Sequence, residues 1–185
     1  MASELGVQTI QHTNGTDAAT INSGGIITPS QQPIFHVTKS ADQTLTDATT
    51  TLITFDEVTD GSNGGRTINK GGLYGNNKLT VTADTVGYYW VYCSLFFQAT
   101  QDHDDVHGYF KVNGNTTHQV VPTNAGYGNN LRWGTFQNHQ IIHLPNAGDY
   151  VELYMYADIA SSGTLNINQN STSAQRTNMG GWRIG

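Results

Sequence analysis

The sequence predicts an all-β fold, an antiparallel double-sheet jelly roll or sandwich behind an extended N-terminal arm. Charged residues make up only 12% of the chain, whereas glycine contributes 21 of its 185 residues. This composition is typical of strands and turns and leaves few residues for helix surfaces. Apolar residues alternate with polar ones in several short runs, and no run shows the 3.6-residue period of a helix. Because parallel strands need crossover connections, the missing helices favour antiparallel sheets.

Strands are expected to follow one another from Pro33 onward. The strongest is Tyr88 to Ala99, an aromatic-rich stretch long enough to be a central strand buried on both faces. Asn113-Gly114 separates two alternating runs and supplies the two positive-φ positions of a type I′ hairpin turn. Further strands, about ten in all, are predicted at 34–37, 51–58, 79–82, 109–112, 115–121, 131–136, 139–144, 150–156, 165–167 and 180–185.

Residues 1–32 are predicted to form the arm. The large apolar residues of this segment alternate with polar neighbours; they include Leu5, Val7, Ile10 and Ile21. The segment has no aromatic residue and too few large apolar ones to build a core alone. Two interpretations stay open: a disordered leader, or short strands that pair with symmetry mates or dock on an assembly, which the alternation favours. Residues 33–185 then form one head domain, since domains of about 100–150 residues are the most common.

Charge and cysteine content exclude several classes of function. The formal net charge is -6 at pH 7, so no basic stripe is available for a phosphate backbone and nucleic acid is not an expected partner. Cys93 is the only cysteine, and we expect a small buried apolar residue there rather than a nucleophile. The N-terminus has neither a basic nor an apolar signal region, and no run approaches the ~18 apolar residues of a membrane span. We therefore expect no secretion signal and no membrane insertion.

The sequence favours a protein without catalytic activity. Asp56 and Glu57 are neighbours on a predicted strand, so their side chains point to opposite faces and do not form a glycosidase pair. The chain contains no Gly-x-Ser-x-Gly, His-Glu-x-x-His or phosphate-binding loop. An acid–base dyad assembled from distant strands is the alternative that stays open.

The segment 102–107 is the most conspicuous polar cluster, and its composition predicts a loop between two strong strands. Aspartate oxygens suit Ca²⁺, and histidine together with aspartate suits a transition metal. The candidate ligands, for Ca²⁺ above all, are Asp102, Asp104, Asp105 and His107. The spacing matches no EF-hand or zinc motif, so a solvated acidic loop without a cofactor is the alternative.

A second candidate site is the loop 124–133. Exposed aromatic and amide side chains at a loop rim can stack on sugars and hydrogen-bond their hydroxyls. The ligand-binding candidates are Tyr127, Asn129, Asn130, Arg132 and Trp133. The alternative is a flexible connection with Trp133 tucked into the core.

Short motifs in residues 33–185 occur in the order found in one family of β domains. They are Ile34-Phe35-His36-Val37, Ile53-Thr54-Phe55-Asp56-Glu57-Val58, Leu79-Thr80-Val81, Gly87-Tyr88-Tyr89-Trp90-Val91, Phe110-Lys111-Val112-Asn113-Gly114, Gly148-Asp149-Tyr150-Val151 and Gly181-Trp182-Arg183-Ile184. Through these motifs and their order, residues 33–185 resemble the globular head of complement C1q and the related tumour-necrosis-factor-like jelly rolls. The resemblance implies a wedge-shaped head that forms homotrimers. The chain is richer in Thr and Asn than animal members and lacks their collagen repeat, so their signalling roles are not expected here.

The aromatic content fits such a trimer. The chain has nine Tyr, three Trp and six Phe, and Tyr and Trp are enriched at interfaces because they combine apolar area with a polar tip. The candidates for the trimer interface are Tyr74, Tyr89, Tyr92, Tyr154 and Tyr156. The alternative is that about half of these fill the core of the subunit.

The arm is similar to the leader segments of structural proteins in tailed bacteriophages, through residues 7–16 and 18–21. Together the two resemblances imply a homotrimeric virion structural protein, such as a tail fibre, spike or capsid decoration protein. The arm would bind capsid or tail proteins, and the outward head would bind a receptor such as a host-surface glycan. Such a protein is made in the host cytoplasm and located on the particle surface. The alternative is a soluble lectin-like ligand-binding module of the same fold from a cellular source.

Overall fold

The computed structural model describes residues 7–11, 13, 15, 17–29, 32–62, 66–119, 133–168 and 177–184. In this part of the chain there are sixteen strands and one short 3-10 turn, Ala160–Ser162. The strands are β1 (Thr9–Gln11), β2 (Asp17–Ile21), β3 (Ile27–Pro29), β4 (Ile34–Thr38), β5 (Gln43–Leu45), β6 (Thr49–Leu52), β7 (Ile68–Lys70), β8 (Tyr74–Gly75), β9 (Lys78–Thr80), β10 (Gly87–Ala99), β11 (His103–Val112), β12 (Asn115–Gln119), β13 (Trp133–Leu144), β14 (Tyr150–Ile159), β15 (Leu165–Ile167) and β16 (Asn178–Arg183).

The strands form three antiparallel sheets. The first sheet has the order β5-β15-β10-β16-β4-β7, and β13 pairs with the other edge of β10. The second sheet has the order β12-β11-β14-β9-β8, and β6 also pairs with β14. Strands β1, β2 and β3 form a small sheet of their own, the arm sheet. The two larger sheets confirm the predicted all-β jelly-roll architecture.

The core lies between the first and second sheets because side chains alternate along their longest strands. In β10, Tyr89, Val91, Cys93, Leu95 and Phe97 are buried and alternate with half-buried or exposed residues. Strand β14 buries every second residue in the same way. The sequence predicted that β10 is central, which its pairing with β13, β15 and β16 confirms. The prediction that both of its faces are buried is wrong, because in the single chain the outward face of β10 is only partly covered.

The predicted hairpin is present at Asn113-Gly114, between β11 and β12. Both residues have positive φ, 51° and 77°, as a type I′ turn requires. The Asn113 side chain also donates through Nδ2 to Asp149 Oδ1 at 2.9 Å and accepts from the Tyr150 backbone N–H at 2.9 Å. These bonds attach the tip of the hairpin to the turn between β13 and β14.

Several element boundaries differ from the sequence prediction. The segment 103–107 is the first half of β11 and not a loop, because its backbone pairs with β14 from Ile159 to Tyr156. From Trp133 to Leu144 the predicted strands 131–136 and 139–144 are one strand, β13, which pairs with β10 without a break, while residues 131 and 132 lie outside the described residues. The predicted strand 51–58 ends at Leu52, although the next residue, Ile53, still donates its N–H to the Leu153 carbonyl. In β11 and β13, pairing with distant strands outweighs the local composition.

Cys93 provides a direct test of this core. Its side chain is buried on the inward face of β10, and burial raises the pKa of its thiol to about 12. Because the thiolate is the reactive form, we expect no reaction with the thiol reagent DTNB at pH 8 while the chain is folded. One thiol per chain should react in denaturant. Rapid stoichiometric reaction of the folded protein would show that β10 does not bury this face.

Candidate interaction surface

The outward side of the first sheet carries most of the exposed apolar surface of the head. Because side chains alternate along a strand, the residues between the buried ones on β4, β10, β13 and β16 share this side. We call the following set the aromatic face: Ile34, His36, Tyr88, Trp90, Tyr92, His139, Ile141, His143, Trp182 and Ile184. Among the described residues of the head, the exposed large apolar side chains are Tyr88 (48%), Trp133 (65%), Ile141 (55%) and Ile184 (49%). Of these, Tyr88, Ile141 and Ile184 belong to the aromatic face.

Rings of neighbouring strands stack along this face. Tyr88 pairs in register with His143, and their ring centroids are 4.2 Å apart. Trp90 stacks on His139 of β13 at 5.0 Å and on Trp182 of β16 at 6.0 Å. Cross-strand aromatic pairs of this kind stabilise a sheet by roughly 0.2–1 kcal/mol each. They also hold the rings in one layer, which gives the face a fixed shape.

His36 and Tyr92 connect three strands at one side of the aromatic face. The His36 Nδ1 and the Tyr92 hydroxyl are 2.7 Å apart and form a hydrogen bond. The Tyr92 ring reaches His36 across Gly180 of β16, where a Cβ would overlap the ring. Burial lowers the pKa of His36 and raises the pKa of Tyr92. The pair is therefore neutral near pH 7.

The aromatic face carries no carboxylate, lysine or arginine. The outward positions of β4, β10, β13 and β16 hold only apolar, aromatic, histidine, amide, hydroxyl and glycine residues. At its border, Glu57 accepts a hydrogen bond from Thr38 and Lys70 lies on β7. The whole chain has a formal net charge of -6. An uncharged surface of this kind lets two acidic copies approach without placing like charges together.

Solved structures share this arrangement of strands. The crystal structure of murine APRIL at pH 8.0 superimposes with a TM-score of 0.52 and 13% identity, covering 83% of this chain and 99% of that one. The structure of Eiger TNF from S. frugiperda gives a TM-score of 0.54 and 9% identity, covering 84% and 94%. The chain has a tumour-necrosis-factor-like (TNF-like) jelly-roll fold. No protein-family model matches the sequence, and no curated protein is detectably similar to it.

The five tyrosines predicted at the trimer interface lie in three different parts of the TNF-like head. Tyr74 and Tyr89 are buried in the core of the subunit, which is the alternative that the sequence left open for some of the five. Tyr92 belongs to the aromatic face. Tyr154 and Tyr156 lie on the outward side of the second sheet, stacked on Tyr109 at 6.2 Å and on His107 at 5.0 Å respectively.

The aromatic face also contains residues that the sequence analysis missed. Trp90 lies two residues before Tyr92 on β10, so the two side chains point to the same side of the sheet. This two-residue period was the signal that could have identified Trp90. Ile141 and Trp182 join the face only because β13 and β16 pair with β10. No local pattern indicates which strands are neighbours.

Of the four predicted metal ligands of segment 102–107, β11 places Asp105 and His107 together on the outward side of the second sheet. His107 also stacks on Tyr156 there, whereas His103, which was not a predicted ligand, faces inward with its ring 5.8 Å from that of Phe97. The Asp105 Oδ2 and the His107 Nδ1 are 3.2 Å apart. Asp102 precedes β11, and the Asp104 side chain is outside the described set. The described residues contain no group of three or more His, Cys, Asp or Glu that could hold a metal ion.

The remaining candidates lie in the loop before β13 and in the arm. Four of the ligand-binding candidates, Tyr127, Asn129, Asn130 and Arg132, are outside the described residues, as is Leu5 of the arm. Trp133 opens β13 with an exposed indole instead of packing into the core. In the arm sheet, Val7 and Ile10 are exposed and Ile21 is half-buried. In the described part of the chain no helix has the length and apolar character needed to span a membrane.

Proposed function

We propose that this protein is a homotrimeric virion structural protein of a tailed bacteriophage, with an outward binding head and an anchoring arm. The observation that carries the proposal is the aromatic face, a stacked and uncharged layer on one sheet that the single chain leaves partly exposed. Contiguous exposed apolar surface marks interaction sites in soluble proteins. Self-association covers this face with a surface of the same kind.

A closed ring of three copies follows from the resemblance to TNF-like and C1q heads together with this face. Each wedge would place its first sheet toward the threefold axis, so that Tyr88, Ile141 and Ile184 leave water. Burial of apolar side chains provides roughly 25 cal/mol per Å² of apolar area. A cyclic arrangement also leaves no copy with an uncovered face, which prevents open-ended aggregation. The role requires no catalytic step.

The arm supports the virion part of the proposal. Ile10 and Ile27 are exposed in the strands of the arm sheet, as are Val7 and Ile26 beside them. The only charged residue in segment 7–29 is Asp17. Among the described strands, those of the arm sheet pair only with one another. A small sheet with exposed aliphatic residues gains stability when a second surface covers it. Capsid or tail proteins are the partners that the similarity of the arm to phage leader segments implies.

Deletion of residues 1–32 tests the anchoring role. The cluster of buried core residues begins at Phe35, so the head keeps its core without the arm. We expect the truncated head to remain trimeric by light scattering and to be absent from purified particles assembled in its presence. Normal incorporation of the truncated chain would contradict the anchoring role of the arm.

Self-association is expected to depend on pH through His36 of the aromatic face. The pKa of His36 is lowered by burial, so the unfolded chain binds this proton more readily than the folded one. This difference stabilises the folded head fully above about pH 6.5, and the stabilisation is lost as the pH falls through the lowered pKa of His36. A protonated His36 would also place an unpaired positive charge at the interface, where no carboxylate of the face neutralises it.

We therefore expect light scattering to show trimers at pH 8 and a decreasing share of trimers as the pH is lowered from 6.5 to 5. The variant His36→Gln should keep its association over this range. The variant His107→Gln, changed on the second sheet, should behave like the natural chain. An unchanged share of trimers in the natural chain over this range would show that the His36 imidazole lies outside the interface.

A further inference from the structure

The first sheet carries a second kind of surface at the opposite end of β10. Gln98 on β10 pairs with Trp133 on β13 and with Asn166 on β15, and Asn166 pairs with Thr44 on β5. All four side chains point to the same side of the sheet as the aromatic face. We call these four residues, which lie side by side across four strands, the Trp133 row.

The Trp133 row combines one exposed aromatic ring with uncharged polar groups. The Trp133 side chain is 65% exposed. Gln98 is exposed, and its amide forms no hydrogen bond with a described residue. Thr44 donates to the Asn166 Oδ1 at 2.7 Å, which orients that amide, while no described residue accepts a hydrogen bond from its Nδ2. The row thus offers a flat apolar surface beside amide donors and acceptors that are not yet used.

The backbone that carries the row is fixed. Strands β10 and β13 pair continuously from Gly87 with Leu144 to Gln98 with Trp133. The Phe97 ring packs against Gly134, where a Cβ would lie only 2.9 Å from the nearest ring atom. Trp133 therefore extends from a rigid strand, and its position is set before any ligand arrives. A preformed site loses less conformational entropy on binding.

We propose that the Trp133 row binds an uncharged saccharide. The C–H face of a pyranose ring can stack on the indole, while its hydroxyls both donate to and accept from the amides of Gln98 and Asn166. A protein partner fits less well, because an amide group buried at a protein interface without a matched hydrogen-bond partner is unfavourable. The absence of charge in the row disfavours a metal ion or a strongly anionic ligand. This inference rests on the binding-head part of the proposed function, for which it names the ligand class, and it holds for a monomeric head as well.

A glycan array probed with the labelled full chain tests the inference, with calorimetry on the best neutral oligosaccharide. We expect Trp133→Ala to lower the affinity about tenfold or more and Gln98→Ala about fivefold. Trp133→Phe should keep part of the binding because it preserves a ring. Tyr156→Ala, which removes an aromatic ring from the second sheet, is the control and should bind normally.

Three outcomes would overturn the inference. They are the absence of binding to every neutral glycan, binding that Trp133→Ala leaves unchanged, and a Trp133→Ala chain that becomes monomeric where the natural chain is trimeric. The last result would assign Trp133 to the trimer interface. A natural chain that is monomeric but binds sugar through Trp133 would contradict the proposed trimer and leave the saccharide site intact.

Discussion

The variant Ile141→Glu is expected to convert the trimer into folded monomers. Ile141 is 55% exposed on β13 in the single chain, so a glutamate there remains solvated and changes the free energy of unfolding of the head by no more than about 0.5 kcal/mol. In the trimer the same carboxylate would be buried on a face that has no cationic side chain to pair with it. An unpaired buried carboxylate costs several kcal/mol, which corresponds to a weakening of association by about a hundredfold or more.

The matched control places the same charge on the other sheet. Thr50 lies on the outward side of β6 and accepts a hydrogen bond from the Tyr109 hydroxyl at 3.0 Å, a role that a glutamate oxygen can also fill. We expect Thr50→Glu to remain trimeric. Sedimentation velocity measures both variants, and circular dichroism checks that both keep their strands. A trimeric Ile141→Glu chain would exclude the aromatic face as the interface.

Gly181→Ala is expected to have the largest effect on the stability of the head among single-methyl changes. A Cβ at Gly181 would lie 2.6 Å from the backbone oxygen of Trp90 and 3.0 Å from a Phe35 ring atom. The backbone oxygen belongs to a paired central strand and cannot move aside without disturbing the β10–β16 ladder. Overpacking of this kind costs about 1–3 kcal/mol, and we expect the upper end of this range in the free energy of unfolding measured with urea.

Gly75→Ala is the control for that substitution. Gly75 lies on β8, no heavy atom lies within 4 Å of the position that its Cβ would occupy, and its φ is outside the left-handed region. The free energy of unfolding should change by less than about 1 kcal/mol. Equal destabilisation by the two alanines would indicate that close packing of β16 on β10 is not what Gly181 provides.

The features that could be predicted from the sequence are those set by local chemistry. Asn113-Gly114 defines its turn because few residue pairs adopt two consecutive positive φ angles. The aromatic-rich run from Tyr88 to Ala99 defines a central strand, but because the run is apolar almost throughout, it does not show which of the two faces is the core. The same run identifies Cys93 as a buried apolar residue rather than a nucleophile.

The features that could not be predicted from the sequence depend on which strands become neighbours in the sheets. Trp90 meets Trp182 only because β16 returns beside β10 from a distant part of the chain. The segment 102–107 has the composition of a loop, yet His103, Asp105, Val106 and His107 pair with β14. Tyr74 lies in the two-residue strand β8, which is too short for alternation to indicate its buried side. Register and pairing are long-range properties, and they decide both the aromatic face and the Trp133 row.

Three copies of the chain are expected to associate. Size-exclusion chromatography with multi-angle light scattering at pH 8 measures the number of copies directly on the full chain. We expect one species with three times the chain mass of 20.1 kDa. A single species with the mass of one chain at micromolar concentration would contradict it.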